Sequence, residues 1–250
     1  MIKFGEHGFY YSTLINDDNY FSGFSSKELG DGTQVENIFR FLEKNNIDYK
    51  KVVKLDQIHS SNIEFFINAP SSPTSKNTRF EKIEDTDGVI TEDEGVFITV
   101  QTADCIPLIL VDKKIGIIGV SHQGWRGLLK RLPIKMVQKM VEMGSQVKDV
   151  VASIGPAIGV CCYEIGEDYY HDFQEEFESY VNKIFKVKGG KFYLNLNLLT
   201  FLLLIDAGVK KENIDFFPFC TKCQKDKFYS FRREGKSLEG EMFSFIMKRS

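Results

Sequence analysis

The residues able to do chemistry gather in one stretch of this chain, Thr102 to Gly127. Two apolar runs, 106–111 and 115–120, flank a polar Asp112-Lys113-Lys114 turn, the pattern of a β-hairpin. With Lys113 and Lys114 at the tip, Asp112 pairs with Ile115 and Cys105 pairs with His122. Directly opposed residues share a face, with Cβ atoms about 5 Å apart. A four-residue loop in the same register serves as well; a slip of one residue would put the two side chains on different faces. Thiolate and imidazole are ligands that zinc prefers, and a catalytic zinc keeps three protein ligands. The chain has four histidines. His7 is near an end and His171 lies in an aromatic helical stretch. His59, at the end of an apolar strand and before small polar residues, is the candidate third ligand. The expected metal set is therefore His59, Cys105 and His122.

Two other readings fit the same pair. Cys105 as nucleophile with His122 as base makes a Cys–His hydrolase or amidase. A buried cysteine with two ordinary histidines makes no site at all. The residues after His122 favour a site: Gln123-Gly124-Trp125-Arg126-Gly127 brackets the only Trp with glycines ahead of a helix. There backbone can approach a ligand closely, and Arg126 adds a fixed charge beside free N–H groups. The plain alternative is Trp125 plugging the core and Arg126 paired with a carboxylate.

The remaining cysteines are weaker signals. Cys220-Thr221-Lys222-Cys223 has no second half-site at structural-zinc spacing, and Cys161-Cys162 is adjacent, poorly suited to share one metal with it. The zinc-deaminase signature is absent, because Phe219 separates Pro218 from Cys220. Arg232-Arg233 could bind phosphate or be a solvated basic pair. Five cysteines also keep open a non-catalytic metal- or redox-sensing protein.

These side chains need a scaffold. The spacing predicts a helix over 35–42, capped by Asp31 or Thr33, a strand over 51–55 and a surface loop over 68–79. Strands are expected at 96–101, 106–111 and 115–120. A helix is expected from about Gly127 to Met143, broken or restarted by Pro133. Tyr169, Tyr170, Phe173, Phe177, Val181 and Ile184 recur at helical spacing and read as core. A buried helix over 196–207 ends at Gly208, a strand covers 214–219, and a strand or turn covers 228–233. Helices and strands interleave without a strict βαβ rhythm, so the class is α+β, a single domain over residues 1–250.

With 42% hydrophobic residues, a core can form; a net charge of −3 argues against nucleic acid as partner. No signal peptide is visible at the N-terminus, and Leu198 to Ile205 is too short to span a bilayer. No membrane partner is expected, the thiols read as reduced, and the location as cytoplasmic.

Together the motifs resemble the YfiH/YlmD family, also known as polyphenol oxidoreductase or laccase-domain proteins. The matches are Gln57-Ile58-His59-Ser60, Asp87 to Thr91, Thr102 to Pro107, His122 to Gly127, Ile154-Gly155-Pro156 through Glu164, and Phe231 to Gly235. They run in family order across most of the chain. Near the start, Ser12-Thr13-Leu14 lacks the arginine usual in the family. The resemblance implies mixed sheets with flanking helices and zinc on His59, Cys105 and His122. It also implies phosphorolysis of adenosine, inosine and methylthioadenosine, with adenosine deaminase activity. Purine nucleoside and phosphate would be the small-molecule partners, and the chain a monomer or homodimer. Arg126, Arg233 and Gln57 are then candidate substrate contacts, and Asp104 a candidate general acid beside Cys105 and His122. Some relatives are linked to cleavage of a cell-wall precursor amide, which keeps the hydrolase reading alive. Copper is the less suitable ion: a multicopper oxidase needs roughly ten imidazole ligands, more than four histidines supply, and mixed Cys/His ligation suits zinc.

Overall fold

The computed structural model describes residues 1–5, 8–68 and 79–250. His7 and most of the loop expected at 68–79 lie outside the described residues. The N-terminal part forms β1 (Ile2–Phe4), β2 (Phe9–Ser12), β3 (Tyr20–Ser25), α1 (Val35–Lys44), β4 (Lys51–Leu55), β5 (Ile63–Phe65), β6 (Phe80–Ile83) and β7 (Gly88–Thr91). The middle forms β8 (Val96–Thr102), β9 (Ile106–Asp112), β10 (Ile117–Gln123), α2 (Trp125–Leu129), α3 (Leu132–Glu142) and β11 (Val150–Ile154). Then come β12 (Glu164–Ile165), α4 (Glu167–Glu176), α5 (Val181–Ile184), β13 (Phe185–Lys188), β14 (Lys191–Leu194) and α6 (Leu196–Asp206). The chain ends with β15 (Ile214–Phe216), α7 (Phe231–Glu234) and β16 (Met242–Lys248).

Two mixed sheets carry the fold, in the orders β1-β2-β3-β16-β8-β4-β6 and β15-β11-β9-β10-β7-β5; β12-β14-β13 make a small third. The α+β class with flanking helices is what the sequence predicts. The period-2 alternation of strand side chains explains the layering. On β9, Ile109 and Val111 join Ile98 and Val100 of β8 in a core between the two large sheets. Its other face, Ile106, Leu108 and Leu110, packs on Met136 and Met140 of α3 and on Leu199 and Leu203 of α6. A strand buried on both faces reads as one apolar run, as 106–111 does. Beyond the first sheet, Phe97, Phe243 and Phe245 bury Ile38, Phe41 and Leu42 of α1.

The hairpin forms with a different register. Asp112 pairs with Ile117 and His122 with Pro107, so the loop is the four residues 113–116. Asp112 explains it: its carboxylate accepts Lys114 N–H at 2.9 Å and its carbonyl accepts Gly116 N–H at 2.9 Å. Gly116 has φ +79°, a left-handed conformation that Ile115 would adopt only with strain. The register moves by two, an even number, so each side chain keeps its face.

Other departures have local causes. The helix expected over 127–143 is two, α2 and α3, parted at Arg131 in a left-handed conformation (φ 56°); Pro133 falls in the first turn of α3, where its missing N–H costs nothing. Neither Asp31 nor Thr33 caps α1, whose N-cap is Gln34; Asp31 instead accepts Thr33 N–H and Glu241 N–H. The 166–185 stripe splits into α4, α5 and the start of β13, and Tyr169 turns outward, 44% exposed, onto Trp125. Residues 231–234 wind into α7, because the Ser230 hydroxyl accepts Arg233 N–H and caps it. Among the described residues no helix is long and apolar enough to cross a membrane.

Candidate active site

Three separate segments deliver the expected ligands. His122 sits near the end of β10, Cys105 just before β9, and His59 in the segment joining β4 to β5. Cys105 lies beyond the last β9–β10 pair, Ile106 with Gln123, so it does not directly oppose His122. The two meet on a diagonal across the hairpin. The ligand atoms of His59, Cys105 and His122 all lie within 4.8 Å of one another. Cys105 Sγ is 3.8 Å from His59 Nε2, close to the roughly 3.6 Å that a tetrahedral ion with standard Zn–S and Zn–N lengths imposes. The two imidazole rings stand at 90°, centroids 4.7 Å apart.

One buried carboxylate arranges both histidines. Asp87 is fully buried. His122 Nδ1 donates to its Oδ1 at 2.8 Å, which fixes the tautomer and leaves Nε2 free as a ligand. The same oxygen accepts His59 N–H at 3.1 Å, while Oδ2 accepts Ser60 N–H and Ser60 Oγ–H, both at 2.6 Å. These bonds hold His59 at φ +58°, a strained conformation for a residue with a Cβ. Gly124 completes the arrangement: a Cβ there would stand 2.6 Å from His59 Cδ2, so only glycine lets the ring approach.

The electrostatics follow from this packing. Burial pushes the Asp87 carboxyl up, but the hydrogen bonds from His122 and Ser60 outweigh it and hold it at about 2. Burial likewise opposes charge on His122, yet Cys105 and Asp87 raise it to about 10. Cys105, despite burial, is lowered to about 7 by the same pairing. The donor set fits a zinc-like cation: one thiol lowered toward thiolate and two imidazoles, one of them anchored by Asp87, with the ion displacing the His122 Nε2 proton on binding.

The three residues line a cavity of about 640 Å³. Its wall includes Gln57, Trp125, Tyr163, Arg232 and Glu241. Several sequence-predicted contacts are elsewhere or otherwise engaged. Arg126 is exposed, lies 4.5 Å over the Trp125 ring and is absent from the cavity wall. Arg233 is also absent from it, donating instead to the carbonyls of Thr221, Lys222 and Phe228. Arg232 is the arginine that faces the cavity. Gln57 lines it, but its amide pairs with the backbone of Gln101 at both ends, 2.7 Å each. Asp104 lines it too, with Oδ1 taken by Thr221 Oγ–H at 2.6 Å and Oδ2 by Ser230 Oγ–H and Arg232 N–H. A carboxylate so engaged positions its neighbours and is poorly placed to hand over a proton. His171 is exposed on α4 and absent from the cavity wall.

Sequence reasoning gave no role to Asp87 or Glu241. For Asp87 a signal existed, an acid directly before the apolar run Gly88–Thr91, where a charge is kept only if well paired. Glu241 precedes β16 with no local mark. Burial holds its carboxyl above the usual range, against the opposing charge of His122.

Fold and site together define the class of protein. Residues 13–249 match the family described as multi-copper polyphenol oxidoreductase laccase, and the chain belongs to that family, the YfiH/YlmD group its motifs resemble. Among individual relatives, it is 32% identical over 251 residues to a purine nucleoside phosphorylase of Clostridium acetobutylicum, covering 96% of this chain and 97% of that one. It is 30% identical to purine nucleoside phosphorylase YlmD of Bacillus subtilis, over 86% and 77% of the two chains. It is 33% identical to adenosine deaminase RL5 from an unknown prokaryotic organism, spanning 67% of this chain and 64% of that one. The crystal structure of the Bacillus licheniformis hypothetical protein YfiH superposes with a TM-score of 0.82 at 26% identity, covering 92% and 93% of the two chains. YlmD from Geobacillus stearothermophilus shares the fold, with a TM-score of 0.87 at 23% identity and 100% and 99% coverage.

Proposed function

We propose that the protein is a zinc-dependent purine nucleoside phosphorylase, acting on adenosine, inosine and methylthioadenosine, with adenosine deaminase activity at the same site. The observation that carries this is the convergence of His59, Cys105 and His122 on one point of a cavity large enough for a nucleoside. The names of the relatives supply the substrate class. In this reading the whole chain is one catalytic unit, and its location is the cytoplasm.

Zinc, when bound, supplies Lewis acidity and a lowered pKa for water. The protein does the rest. Asp87 holds the His122 Nδ1–H, so Nε2 is the nitrogen that would bind the ion once its own proton is displaced. Trp125 and Tyr163 offer aromatic walls to a purine ring. Arg232 offers the cavity a fixed positive charge, suited to phosphate. In phosphorolysis the C1′–N9 bond breaks, its electron pair leaves on the purine, and phosphate oxygen bonds C1′. Glu241, on the cavity wall with its carboxyl raised by burial, is the acidic side chain placed to meet a purine nitrogen. Asp104 acts as a positioning residue for Arg232 and Cys105.

The test is a product assay on a nucleoside panel, with and without phosphate, for the wild type and Cys105→Ala. Free base should appear only with phosphate, and inosine with ammonia from adenosine. A Cys105→Ala chain with full turnover overturns the reading. A second reading rests on the lowered Cys105 thiol beside His122: a Cys–His hydrolase acting on an amide such as a cell-wall precursor. Loss of turnover to a chelator, restored by zinc, favours the metal enzyme. Inactivation of metal-free, still active protein by one equivalent of alkylating agent favours the hydrolase. Absence of any turnover would point to a non-catalytic metal- or redox-binding protein.

A further inference from the structure

Four of the five cysteines lie outside the cavity, and they meet one another. The sulfurs of Cys161, Cys162, Cys220 and Cys223 all lie within 4.8 Å of each other, with Cys162 and Cys223 at 3.4 Å and Cys161 and Cys223 at 3.7 Å. All four thiols are free. A disulfide brings two sulfurs to about 2.0 Å. A tetrahedral zinc with Zn–S bonds of about 2.3 Å holds them about 3.8 Å apart. The 3.4 and 3.7 Å pairs lie near that spacing and far beyond a disulfide bond.

Sequence spacing argued against this set, because consecutive residues in an extended chain point apart. The structure removes the objection with a tight turn: Cys162 N–H and Tyr163 N–H both donate to Gly159 O, at 2.9 and 3.0 Å. The reversal brings both sulfurs of the adjacent pair to one place. A second turn, with Gln224 N–H donating to Cys220 O at 3.1 Å, does the same for Cys220 and Cys223. A bridge between Ala157 and Cys220, with Thr221 N–H on Ala157 O, aligns the two loops. Gly159 lets them close, since a Cβ there would stand 3.1 Å from Cys220 Cβ and 3.3 Å from Cys161 Sγ.

We propose that Cys161, Cys162, Cys220 and Cys223 form a second metal site, a tetrathiolate zinc, separate from the His59–Cys105–His122 centre. Zinc replaces four thiol protons, which are released to solvent, and no electron is exchanged. Exposure of Cys161 and Cys223 gives the ion a way in. The site pins the loop after β11 to the loop after β15. Both loops hold Asp104: Ile158 N–H donates to its carbonyl at 3.0 Å and Thr221 Oγ–H to its carboxylate. Cys105 follows directly, so the zinc clamp stiffens the strand start that carries the thiolate of the candidate active site.

The experiment compares zinc content of the wild type and the Cys220→Ser/Cys223→Ser variant, both purified under reductant, by mass spectrometry of the metal. The wild type should hold one equivalent more. Equal content overturns the proposal. A readout that needs no loop variant uses Cys105→Ser, in which these four are the only thiols. Cobalt(II) added to that chain should give an intense sulfur-to-cobalt charge-transfer band, removed by zinc. No such band from the chain kept under reductant overturns the proposal.

Discussion

Replacing Asp87 by Asn tests the core of the site argument, because it changes one charge and almost no volume. Asp87 offers two oxygens, and five donors use them: His122 Nδ1–H, the N–H groups of Ile58, His59 and Ser60, and the Ser60 hydroxyl. An asparagine has one oxygen. If it keeps that oxygen toward His122 and His59, its NH2 group faces Ser60 N–H, previously 2.6 Å from an acceptor. The Ser60 hydroxyl can rotate to accept, but the backbone N–H cannot. A buried donor left unpaired costs about 1–3 kcal/mol. The depression of the Asp87 carboxyl to about 2 from 3.8 reports the same contacts and gives about 2 kcal/mol. A loss of about 2–4 kcal/mol in stability is therefore expected in urea unfolding of the metal-free protein. Ser60, next to His59, loses the bond that helps hold the strained turn at His59, and His122 loses its charged anchor, so zinc affinity should fall about 10–100-fold in competition against a chelator. An Asp87→Asn chain with wild-type zinc affinity would refute the claim that this carboxylate organises the ligands.

Four further outcomes follow from the same geometry. Gly124→Ala places a methyl against the His59 ring and should weaken zinc binding by roughly the same 10–100-fold factor while the fold survives, read by the same chelator competition and by circular dichroism. Arg232→Ala should raise the KM for phosphate about ten-fold or more, whereas Arg126→Ala, on the outer side of Trp125, should leave it within about two-fold. Metal-free protein should lose stability in acid as pH falls from 3.8 toward 2, where the depressed Asp87 carboxyl protonates. It should also lose the His122 contribution as pH rises from 6.5 toward 10, partly offset by Cys105, whose lowered thiol gains stability between about 7 and 9; a melting-temperature profile reads all three. Leu110→Ala, in the layer between β9 and the helices α3 and α6, should cost about 2–5 kcal/mol with the metal site intact.

Much of this protein was legible in the order of its residues. Continuous apolar runs marked β8, β9 and β10, because strands buried on both faces need no polar residues. Cys105 and His122 at the ends of such runs, and His59 after the apolar β4, stood out as candidate ligands, since local patterns say where a strand stops and site residues gather at its end. What the tertiary structure alone decided were the long-range choices. The register of the hairpin turned on an aspartate-held turn and a left-handed Gly116, and an even shift preserved the face while removing the direct Cys105–His122 opposition. Which arginine meets the cavity turned on the Ser230 cap that winds residues 231–234 into α7, placing the exposed Arg232 on the cavity wall and half-buried Arg233 against backbone carbonyls. Asp87, between β6 and β7, hydrogen-bonds both candidate ligand histidines, 28 and 35 residues away. Four cysteines in two unrelated loops became neighbours across 62 residues. Each of these depends on which distant backbones lie side by side, and periodicity along one segment carries no information about that.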